Sequence, residues 1–294
     1  MAKTSIPVYD ICTIDQWAQK DLLIERFGAY LEKHYGHLHR PHRHTFYHLV
    51  LFTKGKGSHT MDFEKFTVKP FQLYFMIPGQ VHSWHFDGEA DGYIVHFNEV
   101  LFTSFLRNSH YLERFYFFQG SAENGICQIP VPVQPQVSGL FEAMLSEMGE
   151  SKEQGLDMIR LKLLELFITA DRTCTGRKGG NVPQQKLTLL RSFQQLIDKH
   201  YRDIKLPKEY ADLLYVTPNH LNALCQDLLG KTAGDLIRDR VLLEAKRLLT
   251  NADMTVTQIA YDLNFQDNSY FNRFFKKNVG MTPDEFRKTF LNQS

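Results

Sequence analysis

The feature that most constrains this chain is a repeat near its C-terminus. Residues Asn264 to Arg287, NFQDNSYFNRFFKKNVGMTPDEFR, echo Val216 to Leu236 at an offset of fifty positions. Leu221 matches Phe271, Leu224 matches Phe274, Gly230 matches Gly280 and Thr232 matches Thr282. Such repetition means that one supersecondary unit is built twice, so the C-terminal third must hold two similar bodies.

Each copy reads as a helix, a short turn and a second helix closed by glycine, with apolar positions three and four apart. In the first copy Pro207 opens a helix carrying Ala211 and Leu214, and Tyr215 to Thr217 make the turn. Pro218 then suits the first position of a helix that buries Leu221, Leu224 and Leu228. In the second copy Ile259, Ala260 and Leu263 mark the first helix, Asp267 or Asn268 caps the next, and Phe271, Phe274 and Phe275 form its inner stripe. This is the helix-turn-helix plan, in which one helix braces another against the major groove of double-stranded DNA. The outer face of the second unit then presents Gln266, Asp267, Asn268, Ser269, Asn272 and Arg273 to base edges, with Lys276 and Lys277 toward phosphates. Thr217, Asn219, His220, Asn222 and Gln226 hold the matching places in the first unit.

Through Asn264, Phe265, Asp267, Ser269, Tyr270, Phe271, Arg273, Phe275, Lys276, Lys277, Gly280, Thr282, Pro283 and Arg287 the chain resembles the AraC/XylS family of transcription regulators. Two positions depart from that family's pattern. Asn264 stands where the family usually has glycine, and asparagine is the next-best residue for a left-handed turn. Ala223 and Gln226 occupy places where the family more often carries Arg and Lys.

Between the units, AGDLIRDRVLLEAKRLL from Ala233 to Leu249 places Ile237, Val241, Ala245 and Leu248 at helical spacing with no proline. A continuous helix there predicts two readers held rigidly, entering successive major grooves about 34 Å apart. The net charge is only +1, with 16 Lys and Arg against 13 Asp and Glu from Lys186 onward. Affinity is therefore expected to lean on local geometry and dimerisation more than on a broad basic field.

Upstream, TCTGRKGGNVPQQ over Thr173 to Gln185 has almost nothing to bury and reads as a linker. From about His39 to Asn98 the pattern changes to short alternating runs punctuated by glycine: Phe46 to Thr53, Ser58 to Phe63, Phe71 to Ile77, Val81 to Phe86 and Tyr93 to Phe97. Such runs predict antiparallel strands in a small barrel or jelly roll. PHRHTFYHLVLFTKGKG followed by PFQLYFMIPGQVHSWHF looks like the two motifs of the cupin barrel, which regulators resembling AraC often carry as an effector-binding domain. The expected class is α+β with two domains: a cupin-like β-barrel with flanking helices, then an all-α double helix-turn-helix. The expected boundaries are 1–172 for effector binding and dimerisation, 173–185 for the linker and 186–294 for DNA binding.

His42, His44 and His48 share one parity along a strand, and His82 follows the PGQ turn where cupin enzymes keep a further histidine. These four, with Tyr74 and Trp84, are the candidate effector-binding residues; Phe46, Met61, Met76 and Tyr93 are further candidate walls. No cofactor is expected. The alternative is a metal-dependent cupin enzyme fused to a DNA module, with Zn, Fe or Ni on His42, His44, His48 and His82, although cupin enzymes usually place a glutamate near His48. A constitutive regulator with a collapsed barrel is a third reading. Leu101 to Gly120, with FYFF inside it, reads as a helix with a loop over the pocket.

Val137 to Glu150 and Leu156 to Ala170 read as amphipathic helices, the second carrying Leu156, Ile159, Leu163, Leu166 and Phe167. This stripe must be covered by the barrel or by a second subunit; the resemblance favours a homodimer, with RNA polymerase as a further partner. Cys12, Cys127, Cys174 and Cys225 lack metal-site spacing and fit free thiols, and no apolar run near 18 residues or signal peptide is seen. A cytoplasmic protein without enzymatic activity or membrane contact is expected.

Overall fold

A computed structural model describes residues 6–14, 21–106, 111–149, 154–174, 184–250 and 254–291. The chain forms two compact units, Pro7–Lys178 and Gly179–Ser294, the latter taking in Met1–Ile6 as well.

The first unit contains strands β1 (Val8–Tyr9), β2 (Leu22–Arg26), β3 (His42–His44), β4 (Tyr47–Lys54), β5 (Gly57–Met61), β6 (Glu64–Val68), β7 (Gln72–Met76), β8 (Val81–Phe86), β9 (Asp91–Phe97) and β10 (Ile126–Gln128). Helices α1 (Ile11–Ile14), α2 (Phe27–Leu38), α3 (Val100–Thr103), α4 (Gln134–Gly149) and α5 (Gly155–Cys174) flank them. Two five-stranded sheets form, in the orders β1-β3-β8-β5-β6 and β10-β7-β4-β9-β2. Among the described residues only the β1–β3 pairing is parallel. Successive strands repeatedly switch sheets, as in a jelly roll.

All five runs read from the sequence are strands, within two residues at each end. The missed β6 follows a turn made by Asp62 and Phe63, with φ of 47° and 77°. A two-residue hairpin loop needs positive φ at both positions, and Asn-Gly or Asp-Gly is its usual signal. Here a phenylalanine holds the second place, and the Asp62 carboxylate steadies the turn by accepting from the Gln80 side chain at 2.7 Å and the Val81 amide at 3.2 Å.

Strand β4 is buried on both faces, which explains why its apolar run is nearly continuous. Val50 and Phe52 join Phe46, Met61, Tyr74, Met76 and Trp84 in the core between the sheets. Tyr47, Leu49 and Leu51 point the other way, into a second core shared with α4 and α5. Ile159, Leu163, Leu166 and Phe167 of α5 are buried in that second core, so the barrel, not a second subunit, covers the stripe. What α5 leaves half-exposed is Leu156, Met158 and Leu161.

The segment expected to form a lid instead packs outside the sheet. Phe115, between two short 3-10 turns, and Phe117 and Phe118, on the second of them, are buried against Phe75 and Phe167. An aromatic run can serve a lid or a core equally well, and here α5 supplies the apolar partner. Residues 107–110 lie outside the described ones.

Cys127 and Cys174 are joined as a disulfide, with Cα atoms 5.3 Å apart, so the expectation of four free thiols is corrected. They are 47 residues apart in sequence and meet only because β10 and the end of α5 are neighbours. Cys12 and Cys225 are free.

Among its described residues the second unit is all helical: α6 (Gln184–His200), α7 (Pro207–Leu213), α8 (Pro218–Leu229), α9 (Ala233–Leu249), α10 (Val256–Asp262), α11 (Asn268–Val279) and α12 (Pro283–Leu291). Of the expected linker, Thr173 and Cys174 end α5, Gln184 and Gln185 begin α6, and 175–183 lie outside the described residues.

The repeat is visible atom by atom. Tyr215 and Asn264 both take left-handed backbone at the turn, φ 55° and 56°, so asparagine does replace the family's glycine there. Thr217 caps α8 and Asp267 caps α11, each accepting an amide three residues on; Gly230 and Gly280 end the two helices at φ 67° and 85°. Thr232 and Asp235 form a capping box at the start of α9, and Thr282 and Glu285 exchange the same two bonds at α12. The Arg287 guanidinium donates to the carbonyls of Leu249 and Met254, tying the end of α9 to the start of the second unit. Asp267→Ala should lower the opening free energy of α11 by about 1 kcal/mol, read from amide hydrogen exchange; unchanged protection would show that the cap carries nothing.

Candidate functional site

Strand register assembles the histidines. In one sheet His42 lies directly opposite His82, and His59 opposite Trp84. In the other, His48 lies directly opposite His96. Directly opposed residues sit about 5 Å apart at Cβ, so each pair is set by backbone pairing before any side chain turns. His42 and His44 face inward from β3 while His48 faces inward from β4, so the parity seen in sequence spans two strands of different sheets, broken at Thr45 and Phe46. Among the described residues, His42, His44, His48, His59, His82 and His96 are all buried, each 2% exposed or less.

The rings form two short chains of contacts. His82 Nε2 is 2.7 Å from His44 Nε2, and His82 Nδ1 is 3.1 Å from His59 Nε2. His48 Nδ1 is 2.9 Å from His96 Nε2, and the rings of His44 and His48 stack at 5.2 Å. His42 Nδ1 lies 2.8 Å from the Arg40 carbonyl.

Burial pushes every one of these imidazoles toward the neutral form. His42 is lowered to about 4 and His48 to about 3, chiefly by desolvation. His44, His59, His82 and His96 fall well below the ordinary value through desolvation first and mutual repulsion second. The cluster at neutral pH therefore offers lone pairs and N–H groups but no positive charge.

Around it lie Phe46, 4.5 Å from both His44 and His96, and Trp84, stacked on His59 at 3.4 Å. Tyr74 reaches the cluster only through His59, and its hydroxyl donates to the Gln72 side chain. The sequence-chosen His42, His44, His48 and His82 are thus brought together with Trp84 beside them, and Tyr74 stands one residue further out. Tyr93 is corrected as a wall: its ring stacks on Phe141 and its hydroxyl donates to Glu142, on the opposite face of the sheet. The residues missed were His59 and His96. Each is an isolated histidine in its strand, and the only signal was that His59 shares parity with Met61 and His96 with Ile94.

On the helical unit, Asn219, His220 and Gln226 are exposed on α8. Gln266 is exposed in the turn before α11, and Ser269, Arg273, Lys276 and Lys277 are exposed on that helix. Four other candidates have bonds of their own. Thr217 and Asp267 are caps, Asn222 Oδ1 accepts the Ala233 amide at 3.0 Å, and Asn272 Nδ2 donates to Asn268. Asn222 therefore ties α8 to the start of α9, and Asn272 bonds within its own helix, with side chains that were expected to face bases. Tyr270, 53% exposed beside Ser269, adds an aromatic to the second face.

An AraC-like ligand binding domain model matches residues 29–167, and a helix-turn-helix domain model matches 210–289. The arabinose operon regulatory protein of Salmonella typhimurium is 25% identical over 242 residues, 82% of this chain and 83% of that one. The HTH-type transcriptional regulator YijO of Escherichia coli is 30% identical over 161 residues, 54% of this chain and 55% of that one. A solved structure of ToxT from Vibrio cholerae is 12% identical, with 91% of this chain and 98% of that chain covered and a TM-score of 0.44. With an AraC-like ligand-binding domain followed by its helix-turn-helix partner, the chain belongs to the AraC/XylS family of DNA-binding transcription regulators.

Proposed function

We propose that the histidine-lined interior of the barrel is the effector site and that the two helix-turn-helix units read a bipartite, non-palindromic operator. The observation that carries the first part is the buried convergence of His42, His44, His48 and His82, which no packing need explains. The second part is supported by two capped helices of equal length, α8 and α11, joined by α9 without a break. The effector domain closes with the end of α5 at Cys174 and the DNA-binding domain opens with α6 at Gln184, with base and phosphate contacts from the exposed faces of α8 and α11.

The regulator acts in the cytoplasm, where its DNA lies; no described helix is long and apolar enough to cross a membrane. It works as a homodimer whose seating on DNA sets whether RNA polymerase is recruited, and it is not an enzyme. Leu156, Met158 and Leu161 supply the exposed apolar face for the second copy. Effector binding shifts the arrangement of domains or subunits on tandem half-sites, which requires that one arrangement bind the effector more tightly than the other.

Two substitutions test the DNA assignment. Arg273→Ala should relax sequence preference at one or two base positions by about 1 to 3 kcal/mol each, whereas Lys276→Ala should weaken binding to all sequences and reduce the salt slope by about one. Competition binding at several salt concentrations separates them, and an unchanged preference in Arg273→Ala would remove that residue from the base-reading face.

A further inference from the structure

Proton bookkeeping in the histidine cluster leaves a gap that a cation fills. A neutral imidazole carries one N–H and one lone pair. The Arg40 carbonyl can only accept, so His42 carries its proton on Nδ1, and its Nε2 lone pair faces the interior. That Nε2 is buried with no hydrogen-bond partner, and the same holds for His44 Nδ1, His48 Nε2, His59 Nδ1 and His96 Nδ1. Because His82 Nδ1 and His48 Nδ1 donate to the Nε2 atoms of His59 and His96, those two rings carry their own protons on Nδ1, and the lone pairs left open are His42 Nε2, His48 Nε2 and one nitrogen of His44, still far from the usual satisfaction of buried polar groups.

A hydroxyl or amide group of an organic ligand donates to one lone pair at a time, while a metal ion accepts several. One nitrogen each from His42, His44 and His82 lies within 4.8 Å of the others, and among the described residues no carboxylate joins them. Nitrogens on one ion at about 2.1 Å are separated by about 3 to 4 Å, so the rings need close by only about an ångström.

The outer contacts are those of a built site. The Arg40 carbonyl fixes the His42 tautomer, His59 Nε2 stands at His82 Nδ1, and His96 Nε2 stands at His48 Nδ1. With protons on the three Nδ1 atoms, His42, His48 and His82 all turn Nε2 lone pairs inward. Ligand histidines almost always have such a partner on the second nitrogen, holding the ring and its tautomer.

We propose that a divalent transition-metal ion, held by His42, His44 and His82 with His48 facing its open positions, is the ligand of the barrel. The inference rests on the reading of that interior as the effector site and names its chemistry. An all-imidazole set suits zinc, nickel, copper and iron(II). Because the ligands are neutral, the ion keeps its full charge and draws an anionic group into the position beside His48. His59 and His96 are positioning residues, acting through His82 and His48.

The test uses the full-length protein, stripped with chelator and titrated with Co(II) for its visible absorption and with Zn(II) by calorimetry. The expected result is one ion per chain in the wild type. His44→Gln and His82→Gln should lose at least 100-fold in affinity, while His85→Ala, an exposed histidine on the outer face of β8, should bind as the wild type does. His59→Gln keeps an acceptor near His82 and should bind one ion about 10-fold to 100-fold more weakly, with a shifted Co(II) spectrum. Circular dichroism confirms that each variant is folded; if the glutamine variants do not fold, the wild-type stoichiometry still decides. Less than a tenth of an ion per folded wild-type chain, or unchanged binding in folded His44→Gln and His82→Gln, overturns the proposal. Thermal shift of the stripped protein against a metabolite library separates the two claims: a metal-free organic response keeps the effector site and removes the metal. A response to neither metal nor metabolite removes both.

Discussion

Lowering the pH from 7.5 to 5 should destabilise the metal-free barrel by about 4 kcal/mol through His42 and His48 alone, about 2 kcal/mol from each. Both are buried, with folded values near 4 and 3 against an ordinary 6.5. Above 6.5 the imidazoles are neutral in the folded and the unfolded chain, so neither state is favoured by titration. As pH falls through 6.5 the unfolded chain takes up protons that the folded barrel refuses, and stability drops until the folded values are reached. The loss therefore opens at 6.5 and runs to about 4 for His42 and about 3 for His48. The other four buried histidines are lowered as well and steepen the fall. Urea unfolding followed by tryptophan fluorescence reports it, since Trp84 sits against His59. A midpoint that is flat from pH 7.5 to 5 would mean that the cluster is charged or open to water.

Phe271→Ala should cost the second helix-turn-helix about 3 to 5 kcal/mol, the range for emptying a buried phenylalanine site. The ring is fully buried, 5.1 Å from Phe265 and 6.0 Å from Phe275. Relaxation cannot easily fill the hole, because Phe265 and Phe275 are held by the Asn264 turn and by Phe286. Since whole domains are stable by only about 5 to 15 kcal/mol, the variant should open α11 readily and lose the half-site it reads. Hydrogen exchange in α11 together with footprinting of each half-site checks both statements. Wild-type protection in α11 would show that the phenylalanine stripe is not what seats this helix.

The helical half was legible almost to the residue, because its information is local. The expected bounds of α9, Ala233 and Leu249, are the observed ones, since a proline-free stripe sits between a threonine cap and a polar stop. The glycine stops at 230 and 280 and the left-handed Asn264 followed from backbone preference alone. In the barrel the strands were legible but their partners were not. That His59 belongs with the cluster depends on β5 pairing with β8, and that His96 does depends on β9 pairing with β4. Neither register is written in any short window. The same limit explains Tyr93, whose strand was found but whose face was not, and α5, whose apolar stripe could be satisfied equally by a sheet or by a second copy. On the DNA face, outward spacing selected Asn222 and Asn272 correctly as helix-surface residues, while their bonds to Ala233 and Asn268 arise from the packing of neighbouring turns.

The most direct test of the central claim, that one chain reads DNA with two rigidly spaced units, is selection of bound sequences from a random duplex pool by the full-length protein at a stated salt concentration. The predicted result is two different short motifs with centres about ten base pairs apart, the second of them altered in Arg273→Ala. A single uninterrupted motif, or two motifs at variable spacing, would contradict it.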